Sequence, residues 1–448
     1  MGTHPPLDPA FAILREAATG LGASAWAVGG HVRDTLLGRP NPDLDVVVER
    51  GLGLDLARSF ATLTGSRPPV LFERFGTAQV TWGERLVEFA SARAESYPRD
   101  SRKPEVRPAT LLEDLQRRDF TVNTLLMDFD GGVHDLLGSA LRDLDARLLR
   151  TPLDPVATFN DDPLRMLRAV RLAAQLGFTL DPSLPPAMRL LRERLAPPVL
   201  SIERTADELR KMLLSPRPAL ALELLNESGL LEVVLPELAA CRGIDQGGFH
   251  TADVYGHTLE AVQMAPPDAT VRLAALFHDV GKPSTAADDG SFRGHDAVGA
   301  VMAEEALTRL RFSKAEAARV ALLVRLHMRP VYYQPDEWKD GAIRKLARDA
   351  GDLLWPLLDL ARADVAASSY PHGDKLDDLA RRLREVLDER PTRLRLPISG
   401  SDIMGVRALP PGPEVGRLKE RLEEMLMDGT IEPEREAMLA YLGAHPEL

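Results

Sequence analysis

The sequence has almost no cysteine, no long apolar run and no excess of basic charge. The single cysteine, Cys241, excludes a disulfide framework and favours a reducing compartment. No apolar run reaches the roughly 18 residues that a membrane-spanning helix needs. The N-terminal residues lack the basic-then-apolar layout of a signal peptide. We therefore expect a cytoplasmic protein that makes no use of a membrane.

The charge balance is acidic, with a net charge of −12 and a pI of about 5.4. Broad coating of nucleic acid relies on many Lys and Arg that neutralise phosphates, so this balance argues against it. A local basic groove remains compatible with an acidic protein. The 448 residues exceed one ordinary core and predict several domains.

The first 150 residues or so predict an α/β fold, and the rest of the chain predicts helices. Val-rich runs with polar alternation predict strands at 26–30, 44–49, 78–82 and 85–92, and 121–129 is predicted as a helix running into a strand. Beyond this part, apolar residues recur at helical spacing. The predicted helices cover 163–178, 203–214, 217–229, 257–265, 271–279, 297–311, 314–328, 341–349, 352–367, 374–388 and 414–427.

Residues 27–49 place two glycines after a strand, then a helix, then two aspartates. Asp43 and Asp45 stand at i and i+2 of a predicted strand, so their carboxylates share one face and can hold Mg²⁺ jointly. Gly29 and Gly30 allow the backbone to approach phosphates closely. Each feature alone also fits a solvated strand end or a tight turn. Together, within about twenty residues, they predict a metal-dependent phosphate site.

Two further groups extend this pattern. Glu88, in the strand predicted at 85–92, is either a third metal-site acid or a solvent-facing strand residue. Arg117 and Arg118 suit bidentate phosphate contacts, and Asn123 could bond a ribose hydroxyl. The alternative for the arginine pair is an ordinary exposed helix end.

The motifs GGHVRD with DLD, RRDFTVN, DGGVHDLLG and DDPLRMLRAVRLAAQLGF follow one another in that order. Together they resemble the motif series of class II tRNA CCA-adding enzymes and bacterial poly(A) polymerases, which belong to the polymerase β-like nucleotidyltransferase superfamily. The resemblance covers residues 25–215 closely and the rest more loosely. It implies a mixed-sheet head and template-independent transfer of nucleotides from CTP and ATP to the 3′-hydroxyl of tRNA, with release of pyrophosphate.

The resemblance also implies roles for single residues. Asp43 and Asp45 would bind Mg²⁺, with Glu88 as a third catalytic acid. Asp162 and Arg165, on one helix face, would read the Watson–Crick edge of the incoming base; an Asp cap with an i, i+3 ion pair is the alternative. Asp161 stands where many members have Glu, which puts one orienting contact in doubt. The implied nucleotide-binding residues are Gly29, Gly30, Arg33, Asp34, Arg117, Arg118, Asp119, Asn123, Asp162, Arg165, Arg168 and Arg171.

Members of this family add CCA, only CC, only the final A, or poly(A) tails. CC-adding members lack part of a flexible loop, whereas the loop at 92–108 looks full-length here. We therefore expect CCA addition, with A addition as the next alternative. Poly(A) polymerases often carry a basic C-terminal tail, which the GAHPEL sequence does not provide.

Five of the ten histidines fall within 250–327, His250 among them. The segments GHT, FHDVGKP, GHD and RLHM resemble the HD phosphohydrolase superfamily, whose imidazole and carboxylate ligands bind transition metals. The alternatives are a degenerate HD fold or histidines satisfied in a core. The implied ligands are His257, His278, Asp279 and Asp364, with His295 and His327 for a second metal of unknown identity.

The expected division is a nucleotidyltransferase head (1–148), a helical neck (149–215), an HD-like body (216–370) and a helical tail (371–448). The neck has nine Arg or Lys against seven Asp or Glu within 161–211, a slightly basic balance that suits tRNA. An HD phosphohydrolase with an RNA-binding head and a non-catalytic tRNA scaffold remain competing hypotheses. The paired aspartates argue against both.

Overall fold

The computed structural model describes residues 7–96, 105–246, 252–368, 373–389, 396–427, 430–432 and 434–446. The chain divides into two compact units. The first comprises Met1–Met212 with Leu220–Val234, and the second comprises Leu213–Ala219 with Leu235–Leu448. The acid-rich motifs lie in the first unit and the histidine cluster lies in the second.

The first unit is built around a seven-stranded mixed sheet. Its strands, with two small accessory pairs, are β1 (Ala25–Val28), β2 (Leu44–Val48), β3 (Val70–Phe72), β4 (Thr77–Trp82), β5 (Arg85–Ser91), β6 (Arg93–Ser96), β7 (Glu105–Pro108), β8 (Leu126–Met127), β9 (Val133–His134), β10 (Leu148–Leu149) and β11 (Thr179–Leu180). The order in the main sheet is β3-β4-β5-β2-β1-β8-β9.

Strand β2 lies at the middle of this sheet. It pairs in parallel with β5 and antiparallel with β1, so its backbone is satisfied on both edges. Leu44, Val46, Val47 and Val48 are all buried, as expected for a strand covered on both faces. Asp45 is the polar residue within this apolar run, which places a carboxylate on a rigid central strand.

The helices of the first unit cover the sheet and continue into the neck. Two of them, at 10–21 and 53–64, were not predicted, and Phe60 of the second packs its ring on Phe89 of β5. The helices are α1 (Ala10–Leu21), α2 (Gly30–Leu36), α3 (Gly53–Thr64), α4 (Leu111–Gln116), α5 (Ala140–Asp145), α6 (Pro155–Asp161), α7 (Leu164–Leu176), α8 (Leu184–Leu191), α9 (Ile202–Leu213), α10 (Pro218–Glu227) and α11 (Leu231–Val234).

Two local predictions need correction. The helix expected within 121–129 is only a 3₁₀ turn, Thr121–Asn123, followed by β8. Thr121 donates its hydroxyl to Asp143 (2.7 Å), and β-branched residues with such local bonds disfavour a helix. The strand expected at 26–30 ends at Val28, because Gly29 has a positive φ of 78° and Gly30 begins α2.

The second unit is helical in its described residues, and the predicted helices occur there with shifted ends. None of its described helices, and none in the first unit, is long and apolar enough to cross a membrane. The helices are α12 (Pro236–Ala239), α13 (Val254–Met264), α14 (Ala269–Phe277), α15 (Lys282–Thr285), α16 (His295–Arg309), α17 (Lys314–Leu326), α18 (Met328–Val331), α19 (Asp340–Ala350), α20 (Leu354–Ala366), α21 (Gly373–Glu389), α22 (Gly400–Arg407), α23 (Pro413–Met427) and α24 (Arg435–Ala444).

Candidate active site and metal centre

Three acids meet at the centre of the sheet in the first unit. Asp43 immediately precedes β2, and Asp45 lies within it. The parallel register between β2 and β5 sets Asp45 directly opposite Glu88, so the two side chains share one face of the sheet. A Cβ at Gly29 would lie 3.0 Å from Asp45 Oδ2, so a glycine keeps the approach to this carboxylate open.

The electrostatics of this cluster call for a cation. Burial raises the pKa of the Asp45 carboxyl to about 6; Arg118 opposes that rise, and the charges of Glu88 and Asp43 add to it. A partly buried carboxylate beside two like charges is costly to ionise. Divalent cations with oxygen preference would remove that cost, and the acids therefore fit an Mg²⁺ site.

Two depressions border the acids. The second is a depression of about 250 Å³ that Asp45 and Glu88 line together with Arg93 and Arg118. Because Asp45 and Glu88 line the first as well, they lie between two spaces, each about the size of a nucleotide fragment. The first is a cavity of about 300 Å³, and the predicted site residues that line it are Gly30, Arg33, Asp43, Asp45, Glu88, Asn123, Arg168 and Arg171.

Arg33 and Asp34 form a buried pair in the wall of the first cavity. Arg33 donates to Asp34 through Nε (2.9 Å) and Nη2 (2.8 Å), and through Nη1 to Asn123 Oδ1 (2.7 Å). Asp34 also accepts from Asn41 (2.8 Å). These contacts fix the shape of α2 and its loop beside the acids.

Arg117 and Arg118 share one acid that we did not predict as a site residue. Asp114, fully buried, accepts from Arg117 Nη2 (2.7 Å) and from Arg118 Nη2 (3.2 Å). The spacing of i, i+3 and i, i+4 in EDLQRR is the signal that could have revealed this pairing. The Asp114 carboxylate holds both guanidinium groups near the cluster of Asp43, Asp45 and Glu88, and it partly neutralises their charge.

Asp119 is paired with Arg168 of α7. Arg168 donates twice to Asp119 Oδ2 (2.6 and 2.9 Å), and Asn123 donates to Oδ1 (2.9 Å). Burial works to raise the pKa of Asp119, but the charge and hydrogen bonds of Arg168 and the bond from Asn123 hold it at about 2. On the same helix, Arg171 donates to Glu208 (2.6 Å) and to Gln175 (2.7 Å).

Asp162 does not lie on the helix that carries Arg165, which corrects the expectation of one shared helix face. Asp162 has extended dihedrals (φ −139°, ψ 101°), because a residue before proline is pushed out of the helical region, and α7 begins only after Pro163. Its carboxylate accepts from Leu164 N and from Arg204 (both 3.2 Å). Arg165 instead donates to the Arg117 carbonyl (2.6 Å) and the Thr158 carbonyl (3.2 Å).

The second unit gathers the predicted HD residues from helices far apart in sequence. Asp279 lies at the centre and is fully buried. Its Oδ2 is 3.1 Å from His278 Nε2 and 3.8 Å from His257 Nε2, whereas its Oδ1 is 3.4 Å from His295 Nε2 and 3.9 Å from His327 Nε2. Each carboxylate oxygen of one residue therefore faces a different pair of imidazoles.

Asp364 of α20 completes the first of these groups. Its Oδ1 lies 3.0 Å from His257 Nε2 and 3.7 Å from His278 Nε2. Within the part of the chain that the structure describes, two sets of atoms are close enough to hold an ion, His257 with His278 and Asp279, and Asp279 with His295 and His327. His250 lies outside the described residues, as do residues 97–104 of the loop at 92–108.

The histidine tautomers fit metal binding. The four Nδ1 atoms approach backbone carbonyls: those of Ala367, Ala275, Phe292 and Val324, at distances from 2.6 to 3.3 Å. A proton on Nδ1 leaves Nε2 as an acceptor, and the Nε2 atoms face the shared carboxylate. This arrangement matches the tautomer that imidazole needs as a metal ligand.

The ionisable groups of the cluster shift the pKa values of one another. Burial disfavours charge on His278, but Asp279 and Asp364 raise its pKa to about 9. Burial, with the charge of His278, lowers the pKa of His327 to about 4. Lys282, which we did not predict as a site residue although it lies in FHDVGKP, donates to Asp279 Oδ2 (2.6 Å).

A cavity of about 530 Å³ opens beside this cluster. Asp279, His295 and Asp364 reach its wall. Lys282, Ser291 and Arg293 supply donors, and Phe292 and Tyr332 supply aromatic surface. Such a lining suits a phosphate ester that carries a planar or apolar group.

Three family models match this chain in succession. The poly A polymerase head domain matches residues 25–150, the "Probable RNA and SrmB- binding site of polymerase A" matches residues 177–242, and the HD domain matches residues 250–366.

Two relatives match nearly the whole length. The A-adding tRNA nucleotidyltransferase of Deinococcus radiodurans is 36% identical over 92% of this chain and 94% of its own. The CC-adding tRNA nucleotidyltransferase of Thermus thermophilus is 40% identical over 92% of each chain. The fold is similar to that of the Bacillus stearothermophilus CCA-adding enzyme in complex with CTP, with a TM-score of 0.70, 24% identity and 98% of both chains covered.

The mixed sheet, its acid cluster and the helical units that follow define a polymerase β-like nucleotidyltransferase with an HD domain. The motif order predicted this class; the likeness to the Bacillus fold confirms the fold, and the family models and the two relatives confirm the class. The chain belongs to the family of tRNA nucleotidyltransferases.

Proposed function

We propose that the first unit transfers CMP and AMP from CTP and ATP onto the 3′ end of tRNA, completing the CCA sequence. One observation carries this proposal: Asp45 and Glu88 stand opposite each other on parallel central strands, with Asp43 two residues before Asp45. Asp43, Asp45 and Glu88 would hold Mg²⁺, which would supply positive charge beside the triphosphate as pyrophosphate leaves. Catalysis would then consist mostly of positioning and charge neutralisation.

The residues around the acids support this assignment. Gly29 and Gly30, at the start of α2, give a triphosphate access to backbone N–H groups. Arg118, which borders the depression shared by Asp45 and Glu88, supplies a charge for phosphate. Arg33 and Asn123 line the cavity beside the acids, and Asp34, Asp119 and Arg117 support this region through hydrogen bonds to Arg33, to Asn123 and to Asp114.

Selection of the base is assigned to Asp162 and Arg165. Asp162 accepts hydrogen bonds and Arg165 donates them, so together they match groups on the edges of cytosine and adenine. The bond from Arg165 to the Arg117 carbonyl couples this pair to the phosphate-binding segment. Arg168 and Arg171 lie on the same helix and line the cavity beside the acids.

A partial enzyme is the second candidate. Two relatives that match more than nine-tenths of both chains have names that give partial activities, one adding A and one adding CC. This observation favours a chain that performs one part of CCA synthesis. The test below therefore treats the two parts separately.

The experiment supplies tRNA transcripts that end before CCA, after C and after CC, each with CTP alone, ATP alone or both, and Mg²⁺. A CCA-adding enzyme extends all three, and uses ATP only after CC. A CC-adding enzyme uses CTP alone, and an A-adding enzyme extends only the CC transcript with ATP. Incorporation that survives in both Asp43→Asn and Asp45→Asn would overturn the proposed site.

We further propose that the HD cluster would hold two divalent metals, with Asp279 common to both ligand groups. His257, His278 and Asp364 would complete one site, and His295 and His327 the other. The fit rests on the tautomers and on the two imidazole pairs that face opposite oxygens of Asp279. Two bound metals would supply activated water for hydrolysis of a phosphate ester at an RNA end.

Metal analysis of the purified protein, with hydrolysis of a 2′,3′-cyclic nucleotide, tests this second activity. We expect close to two metals per chain in the native protein and a loss of both metal and hydrolysis in Asp279→Asn. Asp359→Asn changes a half-exposed carboxylate on the same helix as Asp364 and is the matched control. If the native protein holds no metal and does not hydrolyse the cyclic nucleotide, the HD domain would serve only as a structural scaffold.

The division into head, neck, body and tail remains part of this proposal, with the body and tail holding the tRNA. We also propose a cytoplasmic location, supported by a tRNA substrate. Partial proteolysis followed by mass spectrometry tests the domain division, with cuts expected near residues 148, 215 and 370.

A further inference from the structure

The segment that leads into Asp43 is held by side chains of α2 and by two charged residues outside the motifs, Asp8 and Arg85. It contains Pro40, Asn41 and Pro42, and ends at the first acid of the cluster. Asn41 accepts from the Asp43 N–H (3.1 Å) and donates to Asp34 (2.8 Å). The backbone on the N-terminal side of Asp43 is therefore anchored to α2.

Arg85, the first residue of β5, holds the same segment from another direction. Its Nε donates to the Pro42 carbonyl (3.0 Å), while Nη1 and Nη2 form a fork on Asp8 (2.8 and 2.5 Å). Such a planar fork fixes the guanidinium in one orientation. Asp8 thereby determines where Arg85 presents its Nε.

His31 makes the third contact. Its Nδ1 lies 3.2 Å from the Asp43 carbonyl, and its Nε2 lies 3.6 Å from Asp8 Oδ2. The side chains of Asp8 and His31 are 9% and 7% exposed, so both are removed from solvent. Asp8 also accepts from Ala10 N (2.9 Å) at the start of α1, which fixes its own position.

We infer that Asp8, acting through Arg85 and His31, is a positioning residue for the metal-binding carboxylate of Asp43. Two consecutive carbonyls, of Pro42 and Asp43, are contacted by two side chains that converge on one buried acid. Groups that orient a metal ligand in this way typically change metal affinity when they are lost. This inference rests on the proposed transfer function of the acid cluster.

A simpler interpretation is that Asp8 only links α1 to the sheet. The chain contains a matched example of such a link, because Arg15 of α1 forms an ion pair with Asp130, which follows β8. That pair joins the same helix to the same sheet but does not touch the segment before Asp43. The two ion pairs can therefore be compared directly.

The experiment measures two quantities: the dissociation constant of Mg²⁺ from the nucleotide-free protein by titration calorimetry, and the Mg²⁺ concentration that gives half-maximal nucleotide addition at saturating CTP and tRNA, and both are expected to shift together. The full-length proteins are wild type, Asp8→Asn, Arg85→Lys and Arg15→Ala. We expect Asp8→Asn to raise this concentration about tenfold. Arg85→Lys, which keeps the charge but loses the fork, should raise it about threefold. Arg15→Ala should leave it within about twofold of wild type. Thermal unfolding shows which variants are folded.

A folded Asp8→Asn or Arg85→Lys protein with wild-type Mg²⁺ dependence would overturn the inference, and so would an equal shift in Arg15→Ala. If Asp8→Asn does not fold, Arg85→Lys carries the test by itself. Asp43→Asn separates this outcome from failure of the proposed function. Full activity in Asp43→Asn would overturn the proposed site, whereas an inactive Asp43→Asn beside a normal Asp8→Asn would overturn only the positioning role.

Discussion

The two ligand clusters of this protein are built in opposite ways. The acid cluster uses oxygen ligands from adjacent strands, with Asp43 exposed and Asp45 only partly buried. The HD cluster uses imidazoles and carboxylates from helices up to about a hundred residues apart, and all except Asp364 are buried. An open oxygen site suits Mg²⁺ that arrives with a nucleotide. A buried imidazole site suits a metal that is retained.

The largest expected effect separates the two clusters functionally. Asp45→Asn should lower nucleotide addition by about 10³-fold or more, because loss of a metal ligand removes several kcal/mol of charge stabilisation. Phosphate ester hydrolysis should stay within about twofold, since the HD residues belong to the other unit. Parallel assays of both reactions on one preparation check this. A fall in both activities would show that the clusters depend on each other.

The reciprocal change is expected in Asp279→Asn. Its two oxygens face both imidazole pairs, so this variant should lose bound metal and reduce hydrolysis by about 10²-fold or more. Nucleotide addition should be preserved. Metal content by atomic spectroscopy and both activity assays give the result. A metal content that equals wild type would contradict the bridging role of Asp279.

A stability effect of intermediate size is expected at Arg168. Its removal leaves Asp119 buried and unpaired, which typically costs about 3–5 kcal/mol. We expect Arg168→Ala to lower the free energy of unfolding by this order, as measured by denaturant unfolding at pH 7. Arg204→Ala removes a half-exposed partner of Asp162 and should cost less than about 1 kcal/mol. Equal losses in the two variants would show that burial of Asp119 is unimportant.

The ion pair of Asp119 and Arg168 also predicts that the free energy of unfolding depends on pH. The pKa of Asp119 is lowered to about 2 from 3.8, so the unfolded state binds the proton more tightly. The stability from this pair is therefore complete above pH 4 and is lost as the pH falls towards 2. Unfolding of wild type and Arg168→Ala at pH 6, 4 and 3 should show the difference between the two proteins shrinking with acid.

The smallest expected effect is a gain in stability rather than a loss, and it concerns Asp45 in the metal-free protein. Its pKa of about 6 exceeds the ordinary value of 3.8, so ionisation destabilises the fold as the pH rises between these values. Asp45→Asn should therefore raise the free energy of unfolding at pH 7.5 by roughly 2 kcal/mol in EDTA. The gain should disappear near pH 4. A variant that is no more stable than wild type at pH 7.5 would contradict the burial of this charge.

The acid cluster could be predicted closely from the sequence because its spacing is local. Side chains two residues apart on a strand lie on the same face of the sheet, and this holds for any fold around the strand. The alternation in 85–92 likewise placed Glu88 on a strand. The pairing of β2 with β5, which brings Glu88 opposite Asp45, was not predicted; the family resemblance implied only that Glu88 is a third acid.

The partners of two arginines could not be predicted. A sequence shows that Arg168 and Arg171 are cations, but not that the distant acids Asp119 and Glu208 neutralise them. The pairing of Arg117 with Asp114 was missed although its spacing is local. The position of Asp162 was misjudged because the helical spacing was extended across Pro163, whose ring excludes the preceding residue from the helix.

The sequence by itself determined four neighbouring strands of the main sheet, most helices of the second unit and the acid pair, since these follow from periodicity and short spacing, whereas the composition of the histidine cluster followed from the family resemblance. Only the tertiary structure decided that Asp279 faces two imidazole pairs and that Asp8 supports the segment before Asp43. Those contacts join residues separated by tens of positions along the chain. Their geometry depends on how helices and strands pack, and one-dimensional spacing does not record it.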